Sequence, residues 1–218
     1  LLKNKKIMDY PYEQQKDSFI EAIMMANRDY EHIALNTTWA KAFNRKFVLE
    51  NNLKFDLDLR RSQDVIYNLY AFDAAHNVEY IDVAASNYRL DNFSLSRGYN
   101  DKTFERLKKT ANACLKFADM YPDKIDYKMA ALSFCRRCFR MIIVQDFMND
   151  NNTQTISVKQ KRFKEALSKE PFNTAFTKEA MLSNPDKDFL ESILIAKGRY
   201  NMLALYWKLR SIVRMIKN

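Results

Sequence analysis

Two glycines and four prolines are all that 218 residues provide for tight reversals of the chain. Glycine enters left-handed backbone without steric cost, and two-residue hairpin turns depend on it. Little material is therefore left for tight turns, so long helices are expected to dominate, with few strands. Apolar residues make up 47% of the chain, enough at this length for a substantial core in one or two domains. No apolar run approaches the ~18 to 20 residues that cross a bilayer, and the opening LLKNKKIMDY lacks a signal-peptide core, so a cytoplasmic protein is expected. Three cysteines, an odd number, point to reduced thiols. The first residue is Leu1, not the small residue that initiator-methionine removal leaves, so a fragment of a longer chain is expected.

Residues 13 to 29 place Phe19, Ile20, Ile23 and Met24 at helical spacing. Residues 35 to 53 read as a short strand, LNTTW, followed by a helix on which Phe43, Phe47 and Val48 recur. Ser62 stands as the N-cap of a helix from Asp64 to Ala75 with Val65, Leu69 and Phe72 on one face. VEYID at 78 to 82 alternates as a strand, and 87 to 100 reads as a loop. Beyond Asn100 the pattern is helical, broken at Tyr121-Pro122-Asp123, Asn149 to Thr155, Glu170-Pro171 and Asn184-Pro185-Asp186. Leu107, Ala111, Cys114, Leu115 and Ala118 form one stripe, and the apolar-rich helix over 126 to 148 is expected at the centre of the packing.

Between Trp39 and Ser96 five short signals follow one another: Trp39-Ala40-Lys41-Ala42-Phe43 within WAKAFNRKFVLENNLKFD, Phe55-Asp56, Gln63-Asp64 at a helix start, Tyr80-Ile81-Asp82, and Asn87-Tyr88-Arg89 ahead of Ser94-Leu95-Ser96. In this order they resemble the second half of family 2 glycosyltransferases of the GT-A type. There a W-x-K-x-aromatic segment leads to F-D, then G-E-D opening a helix, a Y-I-D strand, and a Y-x-Y-R stretch ending in serines. The resemblance covers about residues 20 to 100. It implies an α+β fold, mostly helical: residues 1 to 100 as the acceptor-side half of a GT-A domain with a few short strands, and residues 101 to 218 as an all-helical extension. The implied reaction moves a hexosyl group from a nucleotide sugar to a glycan or lipid-linked acceptor in cell-surface polysaccharide assembly. The N-terminal donor half is not found, so this chain alone is expected to be inactive.

A carboxylate in the first turn of a helix has its anionic form favoured by the helix dipole, which suits a general base. Asp64 occupies that position, and the resemblance gives it the role of deprotonating the acceptor hydroxyl; by spacing alone it is equally an ordinary first-turn residue. Gln63 stands where the family carries Glu, so the acid beside the base is lost. Trp39 offers an aromatic face for a sugar and Lys41 an ammonium for phosphate, the plain alternative being a core tryptophan beside a solvated lysine. Arg89, with Ser94 and Ser96 behind it, is a candidate grip on the donor diphosphate or a plain surface arginine.

The family binds its donor with Mg²⁺ or Mn²⁺ on an Asp-x-Asp at a strand end, so the full-length enzyme is expected to need that cation and this chain to bind none. Asp56-Leu57-Asp58 and Asp186-Lys187-Asp188 are both rejected as metal sites because neither follows an apolar strand, and the second reads as a helix start. Cys135-Arg136-Arg137-Cys138 lies inside a helix pattern, where buried structural thiols are the expectation. His76 reads as a C-terminal cap, and His32 has no evident partner.

The formal charge is +9, and six basic residues, Lys197, Arg199, Lys208, Arg210, Arg214 and Lys217, follow the last acid, Glu191. Met202, Leu205, Tyr206, Leu209, Ile212, Val213 and Ile216 form an apolar stripe there, with Trp207, Arg210, Arg214 and Lys217 opposite. Residues 199–218 are thus a candidate peripheral contact with the inner face of an anionic membrane, or a terminal helix packed on the bundle through its stripe. Nucleic acid is not an expected partner, because the charge gathers on one helix while acids run through the others. A non-catalytic helical interaction module that kept the scaffold and lost the donor site is the competing function.

Overall fold

A computed structural model describes residues 11–25, 35–81, 83, 99–186 and 188–217, the last helix beyond Arg210 without the side chains of 211 and 214–217. Among the described residues ten α-helices run in chain order: α1 Tyr12–Met25, α2 Arg45–Glu50, α3 Gln63–Ala74, α4 Thr103–Ala118, α5 Ile125–Ile142, α6 Ile156–Leu167, α7 Phe172–Ala175, α8 Lys178–Ser183, α9 Phe189–Ala196 and α10 Tyr200–Lys217. A π-helical turn, Ile143–Phe147, continues α5 without a break.

α5 is the hub, packed most extensively against α4 and α1 and also against α7 and α8. Tyr127, Ala130, Ala131, Phe134, Cys135, Cys138, Phe139 and Ile142 are all buried on it, which places its long apolar run at the centre of the molecule as the sequence implies. Phe139 lies 5.0 Å from the ring of Phe172, 5.5 Å from Phe176 and 5.6 Å from Phe163, so one aromatic residue fastens both α6 and α7 to the hub. On the other side Asp17 of α1 accepts hydrogen bonds from Lys124 Nζ at 2.6 Å and Tyr127 Oη at 2.8 Å, which together hold its carboxyl below the usual range. Buried apolar side chains from before and after residue 100 form a single cluster.

The polar breaks supply the caps that the breaks in the sequence lead one to expect. Asn44 accepts from the backbone of Lys46 and Phe47 at the head of α2, Thr155 from Val158 at α6, Thr177 from Ala180 at α8 and Asp188 from Glu191 at α9. Each satisfies a donor that the first helical turn leaves open.

The expected α+β class does not hold: among the described residues there is no strand, and the architecture is all-helical. A strand exists only by pairing, and among the described residues neither expected segment is paired with another strand. Leu35 to Ala40, read as LNTTW, turns back on itself, with Ala40 at φ 57°. Residues 78 to 81 of the expected VEYID strand form no regular element, with Ile81 and Val83 well exposed; Asp82 lies outside the described residues. The GT-A portion with short strands implied by the family resemblance is therefore not what this chain forms. Arg89, Ser94, Ser96 and His32 also lie outside the described residues.

Candidate functional site

The head of α3 carries Gln63 and Asp64, and the route of the chain into it is unusual. Ser62 has φ 51° and ψ 30°, left-handed backbone, and its side chain makes no cap bond, against the N-cap expectation. Left-handed backbone is where glycine is favoured and a side chain costs about 1 kcal/mol or more.

α3 is held in place by buried Val65, Leu69 and Phe72, the expected face, and by Tyr67. Tyr67 is clamped between two residues from separate motif segments. Phe55 stacks on it at 4.4 Å with rings 11° apart, and Phe43 meets it edge-on at 5.4 Å. Asn68, one residue on, donates through Nδ2 to the carbonyl of Leu35 at 3.0 Å. The Trp39-to-Phe43 segment and the Phe55 segment are thus pinned onto the same helix that presents Asp64.

The head of α3 opens on a cavity of about 520 Å³. It is lined by Thr38 and Phe55, by Arg60, Arg61 and Ser62 ahead of the helix, by Gln63 and Asp64 in its first turn, and by Met141 and Gln145 from α5 and its π-helical turn. Gln145 reaches the cavity because it stands on the π-helical turn, and it accepts a hydrogen bond from the Arg61 guanidinium. The Arg61 carbonyl in turn accepts from Thr110 Oγ1 at 2.6 Å, so the arginine is braced from α4. Burial, with Arg106 nearby, lowers the Arg61 pKa from its ordinary value.

Lys41 is half-buried and donates to the carbonyl of Thr37, closing the turn that carries Trp39. Burial pushes its ammonium down to about 8, against the opposing pull of the Asp64 carboxylate. The part-buried Arg137 guanidinium on α5, 4.9 Å from the centre of the Phe134 ring, also feels the Asp64 charge. Asp64 thus acts electrostatically on two cations and lines a basic, partly enclosed space. Such an arrangement can accept a proton from a hydroxyl while holding anionic oxygens close by.

Of the residues singled out in the sequence, Gln63 and Asp64 line the cavity and Lys41 lies within electrostatic reach of it. Trp39 is 49% exposed on the adjoining turn, which rules out the core role. Arg60, Arg61, Tyr67, Met141 and Gln145 were not legible as site residues. The arginine pair just before Gln63-Asp64 was the only hint in the sequence.

Among the described residues no group of three or more His, Cys, Asp or Glu side chains could hold a metal ion. Asp56 and Asp58 are exposed on a turn in which the Asp56 carboxylate takes the Asp58 backbone N–H at 2.9 Å. The second triplet does open a helix, since Asp188 caps α9, while Asp186 is a buried partner of Arg136 at 2.7 Å and Arg140 at 2.8 Å, and these cations hold its carboxyl below the usual range against the effect of burial. Among the described residues the divalent cation that the resemblance implies finds no donor set, and no step below runs through one. Cys114, Cys135 and Cys138 are buried free thiols, with burial raising Cys138 to about 12. His76 does not cap α3; its exposed ring lies 3.1 Å from Glu13 Oε1.

Comparison with protein families, with curated proteins and with solved structures returned no match.

Proposed function

We propose that this chain is the acceptor-side part of a glycosyltransferase, in which Asp64 takes the proton from an acceptor hydroxyl as a hexosyl group leaves a nucleotide sugar. The acceptor oxygen forms its bond to the anomeric carbon, the bond from that carbon to the diphosphate breaks, and the configuration inverts. The supporting observation is convergence: Phe43 and Phe55, from two separate motif segments, meet on Tyr67 of the helix whose head carries Asp64 into a basic cavity, with Lys41 within electrostatic reach of that carboxylate. Trp39 offers an exposed face for a sugar ring, while Arg60, Arg61 and Lys41 offer cations for the leaving diphosphate. The donor-binding half and its cation belong outside the described residues.

Gln63 is exposed at the cavity wall and brings no carboxylate, an observation that favours a second reading, a scaffold retained for interaction after catalysis was lost. Sugar binding separates the two. Saturation-transfer NMR of the chain with a panel of glycans is expected to show contacts that Trp39→Ala abolishes and Asp64→Asn preserves. A chain that binds no saccharide would overturn the enzymatic reading. In a protein carrying the donor half, Asp64→Asn is expected to slow transfer at least about 100-fold, and Gln63→Glu to raise it.

A further inference from the structure

α10 docks with the wrong side for a helix that merely completes a bundle. Tyr200 and Leu203 are buried, Tyr200 Oη donates to the Phe147 carbonyl at 2.8 Å, and Trp207 packs half-buried against the core. Tyr206 Oη donates to Asp188 at 2.6 Å, and Arg210 pairs with Asp188 and, at 3.9 Å, with Glu191. These residues follow one another along one side of the helix and fix it to α9 and its N-cap. The apolar stripe therefore faces away: Met202, Leu205, Leu209, Ile212 and Val213 are each 48% to 58% exposed. Among the described residues no helix is long and apolar enough to cross a membrane, so the stripe is not part of a span.

From the placement of stripe and charge, we infer that α10 is a lipid-surface contact, lying along an anionic bilayer with Leu205, Leu209 and Ile212 in the headgroup boundary. The stripe runs about 17 Å along the helix at 1.5 Å per residue, the span of an in-plane helix anchored by one face. Charge complementarity selects the occupant. Lys197, Arg199 and Lys208 are exposed on or beside α10, and no acid follows Glu191 in the sequence. A second copy would set one basic helix against another, at a cost in repulsion. Nucleic acid would take the cations but offers nothing to an aliphatic stripe. Anionic lipid satisfies both, at about 1 kcal/mol for each basic residue near the surface. This inference goes beyond glycosyl transfer and does not depend on it.

The 218-residue chain is to be sedimented with vesicles of phosphatidylcholine and phosphatidylglycerol at 7:3 and with phosphatidylcholine alone, beside the variant Leu205→Gln/Leu209→Gln/Ile212→Gln. The substituted side chains are about half exposed, so far-UV circular dichroism should not change. The expected result is binding to anionic vesicles at least about tenfold stronger than to neutral ones, and a loss of at least about tenfold in the variant. Lys197→Glu/Arg199→Glu/Lys208→Glu leaves the apolar stripe in place and is expected to lose a similar factor. Wild-type chain left in the supernatant with anionic vesicles would overturn the inference, and so would undiminished binding by either variant. Self-association in sedimentation velocity that the apolar variant abolishes, with no vesicle binding, would assign the stripe to a second copy instead.

Discussion

Removing the guanidinium of Arg136 is expected to be among the most damaging single changes in this chain. Arg136 is wholly buried on α5, and Nε meets Asp186 Oδ2 at 2.7 Å. Its remaining nitrogens donate to three backbone carbonyls, Ala175 and Ala180 at 3.1 Å each and Asn184 at 2.5 Å. Those carbonyls belong to the ends of α7 and α8 and the break after them, where no helical partner is available. Arg136→Met keeps most of the volume, so the loss is polar and not one of packing. Breaking a buried pair costs about 3–5 kcal/mol, and the low end applies because Asp186 keeps Arg140 at 2.8 Å and Ser192 at 2.8 Å. Carbonyls left without donors add about 1 kcal/mol after relaxation, for a total of about 4 kcal/mol. With a urea m-value of about 3 kcal/mol/M, the midpoint should fall by about 1.3 M. Arg136→Lys restores a charge for Asp186 but cannot fork to three carbonyls, and should recover about half of the loss. Urea denaturation followed at 222 nm measures both. A midpoint within about 0.3 M of wild type for Arg136→Met would refute the reasoning, as would a lysine variant indistinguishable from wild type.

Ser62→Gly relieves left-handed strain of about 1 kcal/mol or more and gives back part of it through the freedom glycine adds to the unfolded chain. A net gain of about 0.5 kcal/mol is expected, seen as a melting temperature about 1–2 °C higher; a loss would mean that the serine side chain holds the turn. Lys41 has a folded pKa of about 8, below its ordinary 10.5, so burying its charge destabilises the fold below pH 8, and that cost fades as pH rises to about 10.5. The stability difference between wild type and Lys41→Met should therefore move in favour of wild type across that window. Tyrosine ionisation cancels in the comparison, and a flat difference would place the ammonium in water.

Helix positions were legible because helical pairs are local: Val65, Leu69 and Phe72, or Leu107, Ala111 and Cys114, announce their shared face by spacing alone. The strands were misread because alternation over 78 to 82 describes one edge and says nothing of whether a neighbour exists. Asp64 could be found as a first-turn carboxylate, but its surroundings could not, since Gln145 arrives from 81 residues away through a π-helical turn that no period predicts. The triplet Asp186-Lys187-Asp188 was legible as a helix start, but the buried role of Asp186 was not, its arginine partners lying 50 and 46 residues earlier in the sequence. The stripe on α10 was read correctly as apolar, yet amphipathicity alone does not say which face docks. The tyrosine and arginine bonds to Asp188 decide that.

The π-helical turn at the end of α5 works as a phase corrector. Upstream of it, the faces of the helix are dictated by α4 and α1, which demand one set of inward positions. Downstream, Phe147 must meet Phe163 at 5.8 Å and Asp146 must meet Arg162 at 2.6 Å, while Gln145 points to the cavity. One surplus residue in the turn shifts the angular register between these two sets of demands. The core before it and the site beside it can then change sequence independently, and excising exposed Val144 would couple them again, rotating Gln145 away from Arg61 while leaving the upstream packing untouched.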